Sequence, residues 1–194
     1  MCNKTGGSKQ MLAMSICVAA TLLFLSSACR TSPEHNASDG NPGNETLSLV
    51  DLELGPVTTY VEACERCHGP EGAFFSGEFQ KQTPEEIHEI NFEMMVGPGQ
   101  LDPTEAEVDA MTDYMLAVRQ KEPYLVVING ETFSKGETDT LQGEMRPGTT
   151  LLAEDSGSAL ETDGATWSLK SPQLPLTLKA KWKGKEHLFK VPSP

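Results

Sequence analysis

Apolar and polar positions divide the chain into four stretches. From Met11 to Leu25 the residues are apolar almost without interruption. That run is about 15 residues long, short of the roughly 20 a membrane-spanning helix requires. From residue 30 to 50 the pattern disappears. Ser32, Pro33, Asn36, Ser38, Asp39, Gly40, Asn41, Pro42, Gly43 and Asn44 leave almost nothing to bury, so a flexible tether is expected, with fixed structure from about Leu47. Between residues 51 and 122 the period is helical. Val108, Met111, Met115 and Val118 recur at steps of three and four and mark one apolar helix face. Asp102 or Thr104 is placed to cap that helix, with acids following in its first turn. Pro84-Glu85-Glu86-Ile87-His88-Glu89 predicts a short acidic helix that leaves His88 exposed.

Helical periodicity stops at Glu122-Pro123, and residues 123–194 change to strand-like patterns. Leu125-Val126-Val127-Ile128 is an apolar run, and Asn129-Gly130 after it is a strong two-residue hairpin signal. Thr149–Ala153 and Thr166–Leu169 are further β-like stretches. From Leu176 to Lys183 the alternation is strict, apolar at even numbers and polar at odd, with Gly184 as the turn and His187–Val191 returning. Six or seven short strands in this space predict a small all-β sandwich of immunoglobulin-like type. Trp167 and Trp182 are expected in its core. Lys179, Lys181 and Lys183 are read as protection of a strand face.

Composition narrows the function. The 194 residues carry 28 Asp+Glu against 15 Lys+Arg, a formal net charge of -13. Phosphates would repel such a chain, so nucleic acid is excluded as a partner. The charge is uneven: residues 51–122 hold sixteen acids and four Lys/Arg, while residues 123–194 are nearly balanced. An acidic surface of this kind either solubilises the protein or steers it toward a basic partner.

The N-terminal run has the form of a targeting segment. Lys4 and Lys9 precede it, and no acid occurs before Glu34. Leu25-Ser26-Ser27-Ala28-Cys29 resembles the lipobox of bacterial lipoproteins, with its Leu one place further back than that family prefers. The resemblance implies a signal peptide over 1–28, lipidation of Cys29, and a tether over 29–50. It also implies an address in the bacterial cell envelope, facing the periplasm. Arg30 after the Cys leans toward the outer membrane. Acyl chains contribute about 0.8 kcal/mol per buried methylene, so several give a firm membrane anchor. The alternative is an ordinary signal peptide that leaves Cys29 free.

Cys2 and Cys17 depart with the signal. Cys64 and Cys67 remain, in Cys64-Glu65-Arg66-Cys67-His68. Cys-x-x-Cys-His is the attachment signature of c-type haem: two thiols add across the haem vinyls and the adjacent His reaches the iron. Three other chemistries compete. A redox CxxC belongs in a βαβ context at a helix start, and none is visible. Zinc needs two further ligands, and only His88 and the remote His187 are left. A structural disulfide leaves His68 unexplained.

The surroundings of this motif resemble class I cytochromes c over about residues 51–122. Tyr60 lies one helical turn before Cys64, His68-Gly69-Pro70-Glu71-Gly72 is similar to the family's turn after the His, and residues 101–116 resemble its final helix. The resemblance implies a small all-α cytochrome c-like domain over 51–122, and the strand pattern adds the β-sandwich domain at 123–194. It implies one covalent haem c, with Tyr60 packing on Tyr114. It also implies His68 and a methionine as the metal ligands. Counting back from Leu101 gives Met94, with Met95 as the alternative; His88 is a third candidate. Phe74, Phe75 and Phe79 are expected to wall the haem pocket. The family's Pro about ten residues after the His is missing, so the acceptor that orients the His68 imidazole is unassigned.

The expected function is electron transfer rather than enzymatic catalysis, between the membrane anchor and a redox partner protein with a basic docking surface. Two rival readings remain: an open-site haem enzyme or gas sensor, and an adhesion or interaction lipoprotein whose β domain does the work.

Overall fold

A computed structural model describes residues 44–73, 75–154 and 159–194. Cys29, the signal peptide, most of the tether and Phe74 lie outside the described residues.

The described chain opens with strand β1 (Asn44–Thr46) and then a continuous helical run. The run consists of α1 (Pro56–Thr59), a π-helical turn Tyr60–Cys64, and α2 (Glu65–His68). α3 (Pro84–Val96) and α4 (Glu105–Gln120) follow, each started by a reciprocal cap. Thr83 and Thr104 accept from the backbone N–H groups of Glu86 and Glu107, whose carboxylates accept in return from the caps' own N–H groups. Thr104, not Asp102, is therefore the cap of α4. α3 runs on through Val96, well past the short helix expected around His88.

The C-terminal half contains β2 (Leu125–Val127), the short α5 (Gly130–Ser134), β3 (Thr140–Met145), β4 (Thr150–Glu154), β5 (Leu160–Asp163), β6 (Thr166–Lys170), β7 (Leu176–Trp182) and β8 (Lys185–Val191). They form two four-stranded sheets, ordered β1-β8-β7-β4 and β2-β3-β6-β5. Both contribute to one apolar cluster, with Leu141, Trp167 and Leu169 from one sheet and Leu178, Phe189 and Val191 from the other. The alternation along β7 is realised in full: Leu176, Leu178, Ala180 and Trp182 are buried. Its turn, Lys183 and Gly184, has positive φ at both residues, as a tight hairpin requires. Lys179 is neutralised by Glu154 at 3.0 Å and Glu186 at 3.5 Å.

Two sequence expectations are corrected. Asn129-Gly130 does not make a two-residue hairpin, since α5 begins there. The Asn129 side chain instead acts as a substitute strand, donating to Thr140 O and accepting from Gln142 N, both at 2.8 Å. Gly130 is required by close approach: a Cβ would lie 2.4 Å from Leu49 Cα. Fixed structure also begins before Leu47. Asn44–Thr46 pairs in parallel with Leu188–Lys190, which shields the outer edge of β8. Leu47 and Leu49 then pack into the β core, and Leu52 N donates to Ile128 O at 2.9 Å. A strand bound by its main chain needs no apolar side chains, so its composition gave no signal.

A second apolar cluster occupies the helical half. It contains Val57, Tyr60, Ile87, Met95, Val108, Met111, Tyr114, Met115 and Tyr124. Tyr60 meets Tyr114 edge-on at 5.9 Å between ring centroids, and Tyr114 meets Tyr124 at 5.3 Å. The row of three rings thus links the first helical run, α4 and the approach to β2.

The two halves are joined by charged side chains from the end of β3. Met145 points into the β core, while Glu144 and Arg146 on either side of it reach toward the helices, 3% and 2% exposed. The Glu144 carboxylate accepts from Val57 N at 2.8 Å, from Thr58 N at 3.3 Å and from the Thr58 hydroxyl. It caps α1, whose own Gly55 has no side chain to offer. Both tryptophans bond the same stretch: Trp167 Nε1 donates to Glu144 O at 3.2 Å and Trp182 Nε1 to Pro147 O at 3.0 Å.

Glu144→Ala is expected to cost about 3 kcal/mol in urea unfolding, because it strands buried donors at the start of α1. Glu107 supplies an acid-sensitive contact. Burial raises its carboxyl, but bonds from Thr104 and Leu54 outweigh this and hold it below its ordinary value of 4.5. Its contribution is present above 4.5 and lost as pH falls through the lowered folded value. Unfolding midpoints measured from pH about 6 down to about 3 are expected to fall less steeply in Glu107→Gln than in the parent.

Candidate functional site

The Cys-x-x-Cys-His segment closes the first helical run. Cys64 ends the π-helical turn, and Cys67 and His68 lie on α2. The run starts at Pro56, so both thiols stand near its C-terminal end. Both are free; Cys64 is half-buried and Cys67 exposed. Burial, and secondarily Cys67, pushes the Cys64 thiol up. Reactive redox cysteines have the opposite setting, a helix N-terminus and a lowered pKa. Among the described residues, the one group of three or more His, Cys, Asp or Glu whose ligand atoms converge enough for a metal ion is His88, Glu105 and Asp109. The donor atoms of Cys64, Cys67 and His68 are not gathered on one point as a zinc site requires.

The turn after His68 is fixed from inside. Gly69 ends α2 at φ 73°, a conformation that other residues seldom adopt. The Tyr60 hydroxyl donates to Gly69 O at 2.8 Å. Burial pushes the Tyr60 phenol up to about 12, so it stays a donor at any working pH. The His68 ring packs on Phe75 at 5.0 Å, and Phe75 on Phe79 at 4.5 Å. Arg119 of α4 holds the backbone behind Phe79, donating to Gln82 O at 2.7 Å and Phe79 O at 3.3 Å.

The methionines separate. Both lie on the last turn of α3 rather than in a loop. Met95 is 3% exposed and belongs to the helical core. Met94 is 36% exposed and follows Ile90 by one helical turn, so the two form an uncovered apolar flank. The chain doubles back over this turn, with Gly99 N donating to Met94 O and Leu101 N to Met95 O, both at 2.9 Å. His88 is corrected from exposed to half-buried. Its Nε2 faces Asp109 at 3.2 Å and Glu105 at 3.5 Å across from α4, so those carboxylates occupy the imidazole.

Between the Phe79 turn and α3 lies an open cleft of about 560 Å³. Glu78, Glu86, Glu89 and Glu93 line it with Ile90, and Lys81 adds one positive charge. Four of the sixteen acids of residues 51–122 are therefore displayed beside Ile90.

Glu71, Glu144 and Arg146 bear on this site, and sequence reasoning did not find them. Each is a single charged residue with no repeat to mark it, Glu71 lying inside the turn after His68. The strand that carries Glu144, β3, was itself not expected from the sequence pattern.

The chain matches no protein-family model, no curated protein and no solved structure.

Tyr60→Phe leaves Gly69 O buried without its donor. A loss of about 1 kcal/mol in unfolding free energy is expected, read by urea titration.

Proposed function

We propose that the chain is a single-haem c-type cytochrome, an electron carrier held to the bacterial cell envelope through Cys29. The observation that carries this reading is the Cys64–Cys67–His68 motif itself. It sits at the C-terminal end of a helix, with a burial-suppressed thiol and its imidazole against an aromatic wall. The donor set suits haem c: two thiols one helical turn apart, an adjacent imidazole, and a thioether on an uncovered apolar flank. Haem bound there would supply a one-electron couple at iron.

The chain's own residues would do the rest. Cys64 and Cys67 would hold the group covalently and His68 would ligate its iron, with the imidazole orientation restricted by Phe75. Met94 is favoured over Met95 as the second ligand, because Met95 is committed to the core. Phe75 and Phe79 exclude water. The acidic cleft along α3 attracts a basic redox partner, whose electron exchange would slow with added salt. The helical half is read as the cytochrome c-like domain, and the two sheets as an immunoglobulin-like sandwich behind it.

Expression alongside a haem-attachment system is expected to add the mass of one haem, and Cys64→Ser with Cys67→Ser abolishes that addition. The spectrum is expected to be low-spin with a far-red methionine band and no carbon monoxide shift in the ferrous form. Met94→Ala should remove the band, whereas Met95→Ala should lower stability and keep it. A high-spin spectrum that shifts with carbon monoxide would move the reading to an open-site enzyme or sensor. No covalent haem would end it.

A further inference from the structure

Arg146 occupies the position just after β3, and its side chain is 3% exposed. Its guanidinium crosses into the helical half. Nε donates to Glu71 Oε1 at 2.6 Å, and Nη1 donates to Ala117 O at 3.0 Å and Glu122 O at 2.8 Å. The Trp182 ring stacks on it at 3.5 Å. Glu71 is the third residue past His68 and stands at φ 48°, a left-handed conformation that a residue with a side chain holds only when its surroundings impose it. One planar fork therefore ties the turn after the motif to the end of α4 and to the strand half.

An ion pair with one buried partner is a poor route to stability alone, because apolar residues of similar volume often serve as well. The pair does provide a buried positive charge at Arg146, a half-buried negative one at Glu71, and a fixed backbone position beside them. We infer that Arg146 and Glu71 are positioning residues for the Cys64–His68 site, and that their opposite charges tune the potential of the group bound there. The inference rests on the haem reading above. It makes the strand half part of the redox site rather than an appendage.

The signs are opposite for the two partners. Removing the Arg146 charge favours the oxidised, more positive iron and lowers the potential. Removing the Glu71 charge does the reverse. General loosening of the turn would instead move both variants the same way, as water enters.

The test is a redox titration of the haem-loaded full chain with Arg146→Gln, Glu71→Gln and Arg146→Lys. The potential is expected to fall in R146Q, rise in E71Q and stay near the parent in R146K, which keeps the charge but not the fork. R146K and E71Q keep the test open if R146Q does not fold. Amide exchange in the haem-free full chain gives a second readout: Gly69, Gly72 and Ala73 should exchange at least about tenfold faster in R146Q and R146K. Equal-signed shifts, or none, overturn the charge role, and unchanged exchange overturns the positioning role. If the parent binds no covalent haem, the haem reading fails and the charge role with it, while the exchange result still decides positioning.

Discussion

The structure depends on how the end of β3 resolves a conflict. Its two charged side chains, Glu144 and Arg146, are withdrawn from water, which is costly unless each finds partners. Glu144 finds them at the N–H groups that open α1, and Arg146 at two C-terminal carbonyls around α4 and at Glu71. A helix start thus receives a negative charge, and carbonyls at a helix end receive a positive one, in the sense the backbone dipoles favour. Neither half has these partners by itself. The helices would lose a cap and the strand would carry unpaired buried charges, so the halves stabilise each other through polar groups as well as apolar area.

The same constraint gives the motif its rigidity. The first helical run is held at its start by Glu144, along its length by Tyr60 against Tyr114, and beyond its end by Arg146 through Glu71. The backbone that carries the thiols and the imidazole runs between these points. A group attached there would find its ligands already oriented, which limits reorganisation when charge changes.

Periodic features were legible in the sequence because they repeat. The α4 face of Val108, Met111 and Met115 and the β7 alternation each offered several agreeing residues. The Tyr60–Tyr114 contact was implied by resemblance and is present at 5.9 Å. Features that rest on single residues were not legible. Asn129-Gly130 carries a hairpin signal, but the backbone at Leu49 forces the glycine and the Asn side chain replaces a strand. Asn44–Thr46 pairs through its main chain, which leaves no trace in side-chain pattern. His88 reads as exposed on its own helix, and the carboxylates that cover it come from α4. The two methionines are adjacent in sequence, and only the rotation of a helix by about 100° per residue sends them to different surroundings.

The placement of the two indoles has an optical consequence. Trp167 and Trp182 are the protein's complete set of tryptophans, and both donate to carbonyls within residues 144–147, while the Arg146 guanidinium lies on the Trp182 ring. Near-ultraviolet emission therefore originates almost entirely at the seam between the halves. In the haem-free chain, an event at that seam changes the colour and intensity of this light. The chain carries its own fluorophore at the place where its two parts meet.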